Sequence, residues 1–323
     1  MFFVLNKNTG IQIFCITFFF FSCDNVQEIE VDFPFHTPQM VINALYEHSD
    51  KEFAVTLNVS QRPDQTDYWH AVSDADVRLT VNEVVYTAIE KEAGKYFFIF
   101  LPTEGQEYEI TAYHPQFGTI TATDRVPVKV EVDNIMLTPN AGIDAQGDYF
   151  SNFAITLVKG IKETFIEIQV KFVSENQIIN EIPKLHEFDG LTTNEAMITS
   201  QSWYPSILHI GRRSPRSLLF SDRSISENTY TVQFQHTSGL SSWSHETGWQ
   251  PGKPEGEIIV FIRSVSENYF RYKTGVIEQE YAVTGVLLFG AGEPVPVFSN
   301  VQGGLGIVAS RITNSETFKQ QNQ

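Results

Sequence analysis

The chain has 323 residues, 42% of them apolar and 13% aromatic, which is enough for one large or two ordinary packed domains and excludes wholesale disorder. Its 39 acidic residues against 22 basic ones leave a net charge of −17, the wrong sign for nucleic acid or an anionic membrane surface. Both cysteines, Cys15 and Cys23, fall near the start, so the body of the chain has no thiol, no disulfide and no cysteine metal site.

Residues 11–22 form an apolar run that Lys7 precedes and that turns acidic at Asp24. At about twelve residues it is too short to span a bilayer, which takes about twenty, and its layout is that of an export signal. The run ends Phe20-Phe21-Ser22-Cys23. A small residue followed by cysteine resembles the lipobox of bacterial lipoproteins, with Phe20 and Phe21 departing from the Leu-Ala type as the looser lipoboxes of Bacteroidota do. The resemblance implies a signal peptide over 1–22, cleavage before Cys23 and acylation of its thiol. Acyl chains hold a protein to lipid at about 0.8 kcal/mol per buried methylene. The plainer alternative is a secretory signal with an incidental cysteine. Asp24, Glu28, Glu30 and Asp32 follow at once. They resemble the acidic tether that sends Bacteroidota lipoproteins to the outer face of the outer membrane, so 23–36 reads as a lipidated arm; an ordinary solvated linker is the other reading.

From residue 38 onward the pattern is that of strands. Phe53, Val55, Leu57 and Val59 alternate with smaller or polar residues. Ala75 to Val81, Tyr108 to Ala112 and Val128 to Val132 do the same, with turn residues between. Short strands at this spacing, each wetting one face, indicate an immunoglobulin-like antiparallel β-sandwich over 37–133. Asp133-Asn134 and Pro139 to Gly142 mark the passage to a second, β-rich domain over 134–323. There Thr164 to Phe172 and Tyr230 to Phe234 alternate, while Glu257 to Arg263 suits a buried central strand. Ser264 with Glu267 fits a capping box, and Tyr269, Tyr272, Val276 and Phe270, Ile277, Tyr281 recur at helical spacing, which predicts an amphipathic helix near 266–282. Leu305 to Ile312 reads as a last strand. The fold class expected is all-β.

Motifs for chemistry are scarce. The 8 histidines form no metal-ligand spacing, and neither a phosphate-binding glycine loop nor a Gly-x-Ser-x-Gly elbow occurs. No cofactor or metal is expected. The acid pairs Asp74/Asp76 and Glu278/Glu280 read as solvated, and Asp144-x-x-Gly147-Asp148 is a poor calcium loop. Arg212, Arg213 and Arg216 make a basic patch that either neutralises nearby acids or holds an anion. More suggestive are Trp203, Tyr204, Trp243 and Trp249, set in segments rich in Ser, Gly and Pro. Such rings stack on sugars, fill a partner's groove, or cap the second core beneath long loops. They are the candidate interface.

Three stretches then point to a family: Phe33-Pro34 with Met40 to Ala44, Ser264-Val265-Ser266-Glu267-Asn268-Tyr269-Phe270-Arg271-Tyr272, and Glu293 to Ile307 with its Ser299-Asn300-Val301-Gln302-Gly303-Gly304-Leu305-Gly306 core. Together with the lipobox they resemble the Bacteroidota lipoproteins of domain of unknown function 4249. The resemblance defines no catalytic residue. It implies an accessory role beside a TonB-dependent outer-membrane receptor, hence a surface-exposed, lipid-anchored, non-catalytic binding protein of the outer membrane. An envelope glycan hydrolase whose carboxylates meet only in the fold is the alternative. Gly303, Gly304 and Gly306 read as a tight turn or bulge before a strand.

Overall fold

A computed structural model describes residues 35–62, 70–144, 147–179, 182–187, 190–205, 215–237, 242–244, 246–250, 256–289 and 295–320. The expected signal peptide, Cys23, nearly all of the expected acidic arm, Arg212 and Arg213 lie outside these residues. Of the unit made of Met1–Thr37 and Arg62–Thr66, the described residues 35–37 and 62 form no regular element. All that follows concerns the unit made of Pro38–Gln61 and Asp67–Gln323.

The first stretch runs β1 (Met40–Glu47), β2 (Phe53–Val59), β3 (Asp76–Val81), β4 (Val84–Thr87), β5 (Ile89–Glu92), β6 (Lys95–Phe98), β7 (Glu107–His114) and β8 (Gly118–Arg125). Burial follows the two-residue period: Met40, Ile42, Ala44 and Tyr46 of β1 point inward, as do Tyr108, Ile110 and Ala112 of β7. Asn82 and Glu83, with φ of 49° and 66°, make the tight hairpin between β3 and β4, since two positive φ values match the twist of the flanking strands.

The second stretch runs β9 (Glu131–Ile143), β10 (Tyr149–Val158), β11 (Phe165–Ile179), β12 (Ile182–Glu187), β13 (Leu191–Thr192), α1 (Ala196–Thr199), β14 (Ser217–Ser221), β15 (Thr229–Thr237), β16 (Ser242–Ser244), β17 (Gly248–Gln250), β18 (Gly256–Val265), α2 (Glu267–Phe289), β19 (Val301–Gln302) and β20 (Leu305–Gln320). The all-β reading holds.

Among the described residues the longest sheet has nine strands, ordered β12-β11-β18-β20-β1-β2-β6-β5 with β14 also on β11. A five-stranded sheet, β19-β8-β7-β3-β4, faces one half of it, and a four-stranded sheet, β13-β15-β10-β9, faces the other. Two sandwiches therefore share one continuous layer. The first core joins Ile42, Phe53, Leu57 and Phe98 to Leu79, Tyr108 and Ile120. The second joins Ile168, Phe172, Val260 and Ile262 to Phe153, Ile155, Val232 and Phe234.

The shared strand is β20. It pairs parallel with β1, from Val41 opposite Leu305 to Glu47 opposite Arg311, and antiparallel with β18. Val308 and Ile312 enter the first core, while Ile307 and Ala309 belong to the second cluster. β19 adds itself to β8. Residues 301–312 thus complete the sandwich of residues 40–126, although their place in the chain puts them with the second domain. This strand runs to Gln320, well beyond the Ile312 expected from its apolar pattern.

The helix differs from expectation in its start and its length. Its N-cap is Ser266, whose Oγ accepts the Tyr269 amide at 3.2 Å; Ser264 is still in β18, and its Oγ accepts the Val130 amide at 2.7 Å. The third helical position holds Tyr269 and not an acid, so the reciprocal half of the capping box is missing. The helix continues to Phe289 through a mostly apolar run, where spacing could not mark an end. Tyr269 is buried in the second cluster and Phe270, Tyr272 and Ile277 pack against it, with Phe270 against Phe165 at a ring separation of 5.0 Å.

Candidate functional site

Trp203 is 1% exposed and belongs to the second core, stacked edge-on against Tyr204 at 5.8 Å. It is no platform for a ligand. Of the three readings of these rings, capping of the second core is the one Trp203 takes, together with Ile198 of the short α1. Tyr204 is half-buried, and its hydroxyl sits 3.3 Å from both the amide and the carbonyl of Thr193. Trp243 and Trp249 stand directly opposite each other in the β16-β17 ribbon; their side chains lie outside the described residues. Of the four, Trp203 and Tyr204 meet each other among the described side chains. Of the acid pairs, Asp76 is forked onto Arg78 at 3.0 and 2.5 Å, and Glu278 accepts the Ser202 hydroxyl at 2.5 Å.

The surface that stands out is the outer face of the four-stranded sheet. Along β10, Ser151, Phe153, Ile155 and Leu157 point inward, which turns Phe150, Asn152, Ala154 and Thr156 outward. Along β15, Val232, Phe234 and His236 point inward and turn Thr231, Gln233, Gln235 and Thr237 outward. Register then lines these residues up across strands. Asn152 lies opposite Thr138 on one side and Gln235 on the other, and Gln235 lies opposite Thr192. In the next rung Ala154 lies between Met136 and Gln233; in the third, Thr156 lies between Asn134 and Thr231, with the two hydroxyls 2.9 Å apart. Phe150 ends the β10 row, its ring against Gly142, where any side chain would collide with it.

A depression of about 710 Å³ covers the first two of these rungs, with Phe150 and the Thr156 rung outside it. The acid lining it is Glu195, whose Oε1 accepts the Gln233 amide at 3.1 Å and so closes the edge of β15. Thr193 closes the next position, donating from Oγ1 to the Gln233 carbonyl at 2.5 Å. A second groove of about 680 Å³ runs beside Lys129, Glu131, Asp133 and Glu316 and so carries charges of both signs. The neutral face went unread in the sequence because polar residues alternating with apolar ones look like ordinary solvated strand positions. The available signal was narrower: β10 and β15 carry Asn, Gln and Thr at every outward polar position in a chain of 39 acids and 22 bases.

The motif stretches converge elsewhere, on β8. Asp124, 5% exposed, accepts hydrogen bonds from Ser310 Oγ at 2.5 Å, Tyr108 Oη at 3.2 Å and Asn268 Nδ2 at 2.9 Å. Asn268 also donates to the Thr123 carbonyl, as does Asn300, both at 2.9 Å. Asn300 further bridges the backbone of Val308, donating to its carbonyl and accepting from its amide. Burial pushes the Asp124 carboxyl up to about 6, against the donors from Ser310, Ser266, Asn268 and the Arg125 amide that hold it down. Burial likewise pushes His236, on the inner side of β15, down to about 4. On the helix side, Glu167 pairs with Arg263 at 3.1 Å and accepts the Tyr269 hydroxyl at 3.0 Å, all three buried.

The family profile described as Domain of unknown function (DUF4249) matches residues 26–316, nearly the whole of the chain after the signal run. The chain belongs to this family. In this DUF4249 chain the two later motif stretches are structural. Ser266 and Asn268 begin α2 at the Asp124 cluster, and Ser299 to Gly306 carries the chain from the helix to β20 across β8 and β1. The glycines follow from that route: Gly303 has φ +78°, and a Cβ on Gly304 would meet the Met40 carbonyl at 2.5 Å.

No curated protein matches the chain. Similar solved structures include a Corynebacterium diphtheriae protein whose name calls it membrane anchored, 13% identical over 71% of this chain and 54% of that one, with a TM-score of 0.20. A Salmonella alpha-2-macroglobulin mutant is 11% identical over 90% of this chain and 15% of that one, with a TM-score of 0.23. The BSP domain of a biofilm-associated protein is 7% identical over 86% and 58%, with a TM-score of 0.18. The chain spans little more than half the length of the first and third and a small part of the second. Among the described residues no helix is long and apolar enough to cross a membrane.

Proposed function

We propose that this DUF4249 protein is a non-catalytic binding protein, anchored through acylated Cys23 to the outer membrane, facing the cell exterior and working beside a TonB-dependent receptor. The anchor and location rest on the lipobox-like Ser22-Cys23 and on the acidic residues that follow it. The receptor rests on what the family resemblance implies for Bacteroidota lipoproteins. The observation that carries a binding role is the outer face of the four-stranded sheet, a broad, exposed array of amides and hydroxyls held on rigid strands. Such an array recognises by hydrogen bonds, and the acid that lines it, Glu195, has one oxygen held by the Gln233 main-chain amide.

The test is fractionation and co-purification. Wild-type protein is expected in the outer-membrane fraction, and Cys23→Ala in the soluble fraction. Gentle detergent extraction of the tagged wild type is expected to bring a β-barrel receptor with it in stoichiometric amount. Recovery of the lipidated protein alone would overturn the receptor partnership, and membrane retention of Cys23→Ala would overturn the anchor.

A further inference from the structure

We infer that the outer face of the β13-β15-β10-β9 sheet is a binding site for a neutral oligosaccharide. The inference rests on the proposed function only in assigning this face to a ligand and not to the receptor.

The chemistry of the face sets the ligand class. Amide and hydroxyl side chains each both donate and accept, as sugar hydroxyls do. Thr138, Asn152, Gln235 and Thr192 form one line across four strands, and all four are exposed. Neighbouring strands are about 4.8 Å apart, so this line offers a hydrogen-bonding group at each such step to a chain of hydroxyl-bearing rings laid across it. Phe150 stands one outward position along β10 from Asn152 and supplies an aromatic ring of the kind that packs against the apolar side of a sugar.

Three other classes of ligand fit poorly. An anion would meet no cation among the described lining residues, within a chain whose net charge is −17. A cation would find only the Glu195 carboxylate, and one of its oxygens is already held by the Gln233 amide. A protein partner burying a hydrophobic patch would want more apolar area than Met136 and Phe150 provide.

The face is also held in place before any ligand arrives. Phe153, Ile155, Val232 and Phe234 anchor its two central strands in the core from behind. The Thr193 and Glu195 bonds to Gln233 fix the free edge of β15. Little ordering is then left for binding to impose.

The experiment uses the detergent-solubilised full chain and affinity electrophoresis through gels containing soluble starch, dextran, xylan, galactomannan or mixed-linkage β-glucan, with polygalacturonate and heparin as charged comparators. Retardation by at least one neutral polymer is expected, with none by the charged pair. The double variant Asn152→Ala/Gln235→Ala is expected to weaken that binding at least tenfold while melting within a few degrees of the wild type, both side chains being exposed. Because a truncation could act through local packing, Phe150→Leu serves as a second variant and is expected to weaken binding with the amides intact. Binding to no neutral polymer, binding to the charged polymers alone, or undiminished binding by the double variant would each overturn the site. A receptor that co-purifies with a protein blind to sugars defeats this inference and leaves the proposed function standing; sugar binding without a receptor does the reverse.

Discussion

Ser310 donates a hydrogen bond to Asp124 across 2.5 Å, joining the last strand to one that lies 186 residues earlier. The carboxylate is buried, so each donor it holds offsets part of a large desolvation cost. Removing the hydroxyl leaves that acceptor short of a partner. Ser310→Ala is therefore expected to lose about 1–3 kcal/mol in denaturant melts. A change within the error of the measurement would show that the cluster is not holding the strand.

Asp124 and His236 make opposed contributions to pH dependence. Asp124 has its folded value raised to about 6, so the folded state binds the proton more tightly than the unfolded state. Its contribution falls as pH rises from about 4 to about 6. His236 has its folded value lowered to about 4, so its contribution is lost as pH falls from about 6.5 to about 4. Each shift amounts to about 3 kcal/mol across its window, and in the wild type the two largely cancel. Relative to wild type, Asp124→Asn is expected to become progressively less stable between pH 6 and pH 4. His236→Gln is expected to become progressively more stable over the same range. Melting curves at half-unit pH steps would decide, and variant curves parallel to the wild type would refute both assignments.

At Gly306, opposite Ile42, β20 leaves no room for a side chain against β1. The glycine's φ is +114°, and a Cβ there would collide with the Ile42 carbonyl and amide. Backbone strain and overpacking each cost about 1–3 kcal/mol, and here they act together. Gly306→Ala is expected to lose about 3 kcal/mol or more and to lower the yield of folded protein. Gly105→Ala, at φ +75° with open space around its Cβ position, carries the strain alone and should cost less. Equal melting temperatures for the two variants would contradict this account.

How much of this was legible in the sequence depends on the range of the interaction. The alternation in Phe53 to Val59 and Val77 to Val81 is local, and the strands appear where it placed them. For Trp203 the sequence leaves core, interface and ligand readings open, because glycine, serine and proline around an aromatic describe a loop without saying which way the ring turns; the ring takes the core reading. Its place under Ile198 and Tyr204 is tertiary. The helix cap was misplaced by two residues because Ser264 and Ser266 are equally good caps in isolation, and only the run of β18 to Val265 chooses between them. Least legible was the parallel pairing of Val41 with Leu305, since such a ladder leaves no mark in either strand of where its partner lies. Trp203→Ala tests the burial directly, with an expected loss of about 3–5 kcal/mol and no change in ligand binding at a temperature where the variant remains folded.

That parallel pairing bears on any attempt to isolate the first sandwich. A fragment of residues 37–133 keeps β1 to β8 but loses β20 from the side of β1 and β19 from the side of β8. Its core lacks Val308 and Ile312, and Asp124 is left without Ser310 and Asn268. Two open strand edges and a buried carboxylate short of donors favour aggregation over folding. The fragment is expected to show no cooperative thermal transition and to come largely from inclusion bodies. Adding a synthetic peptide of residues 299–314 in trans should restore a transition, because it supplies both missing edges and the Ser310 hydroxyl. A fragment that melts sharply on its own would mean that the first sandwich closes without its last strand and that β20 only docks onto a finished domain.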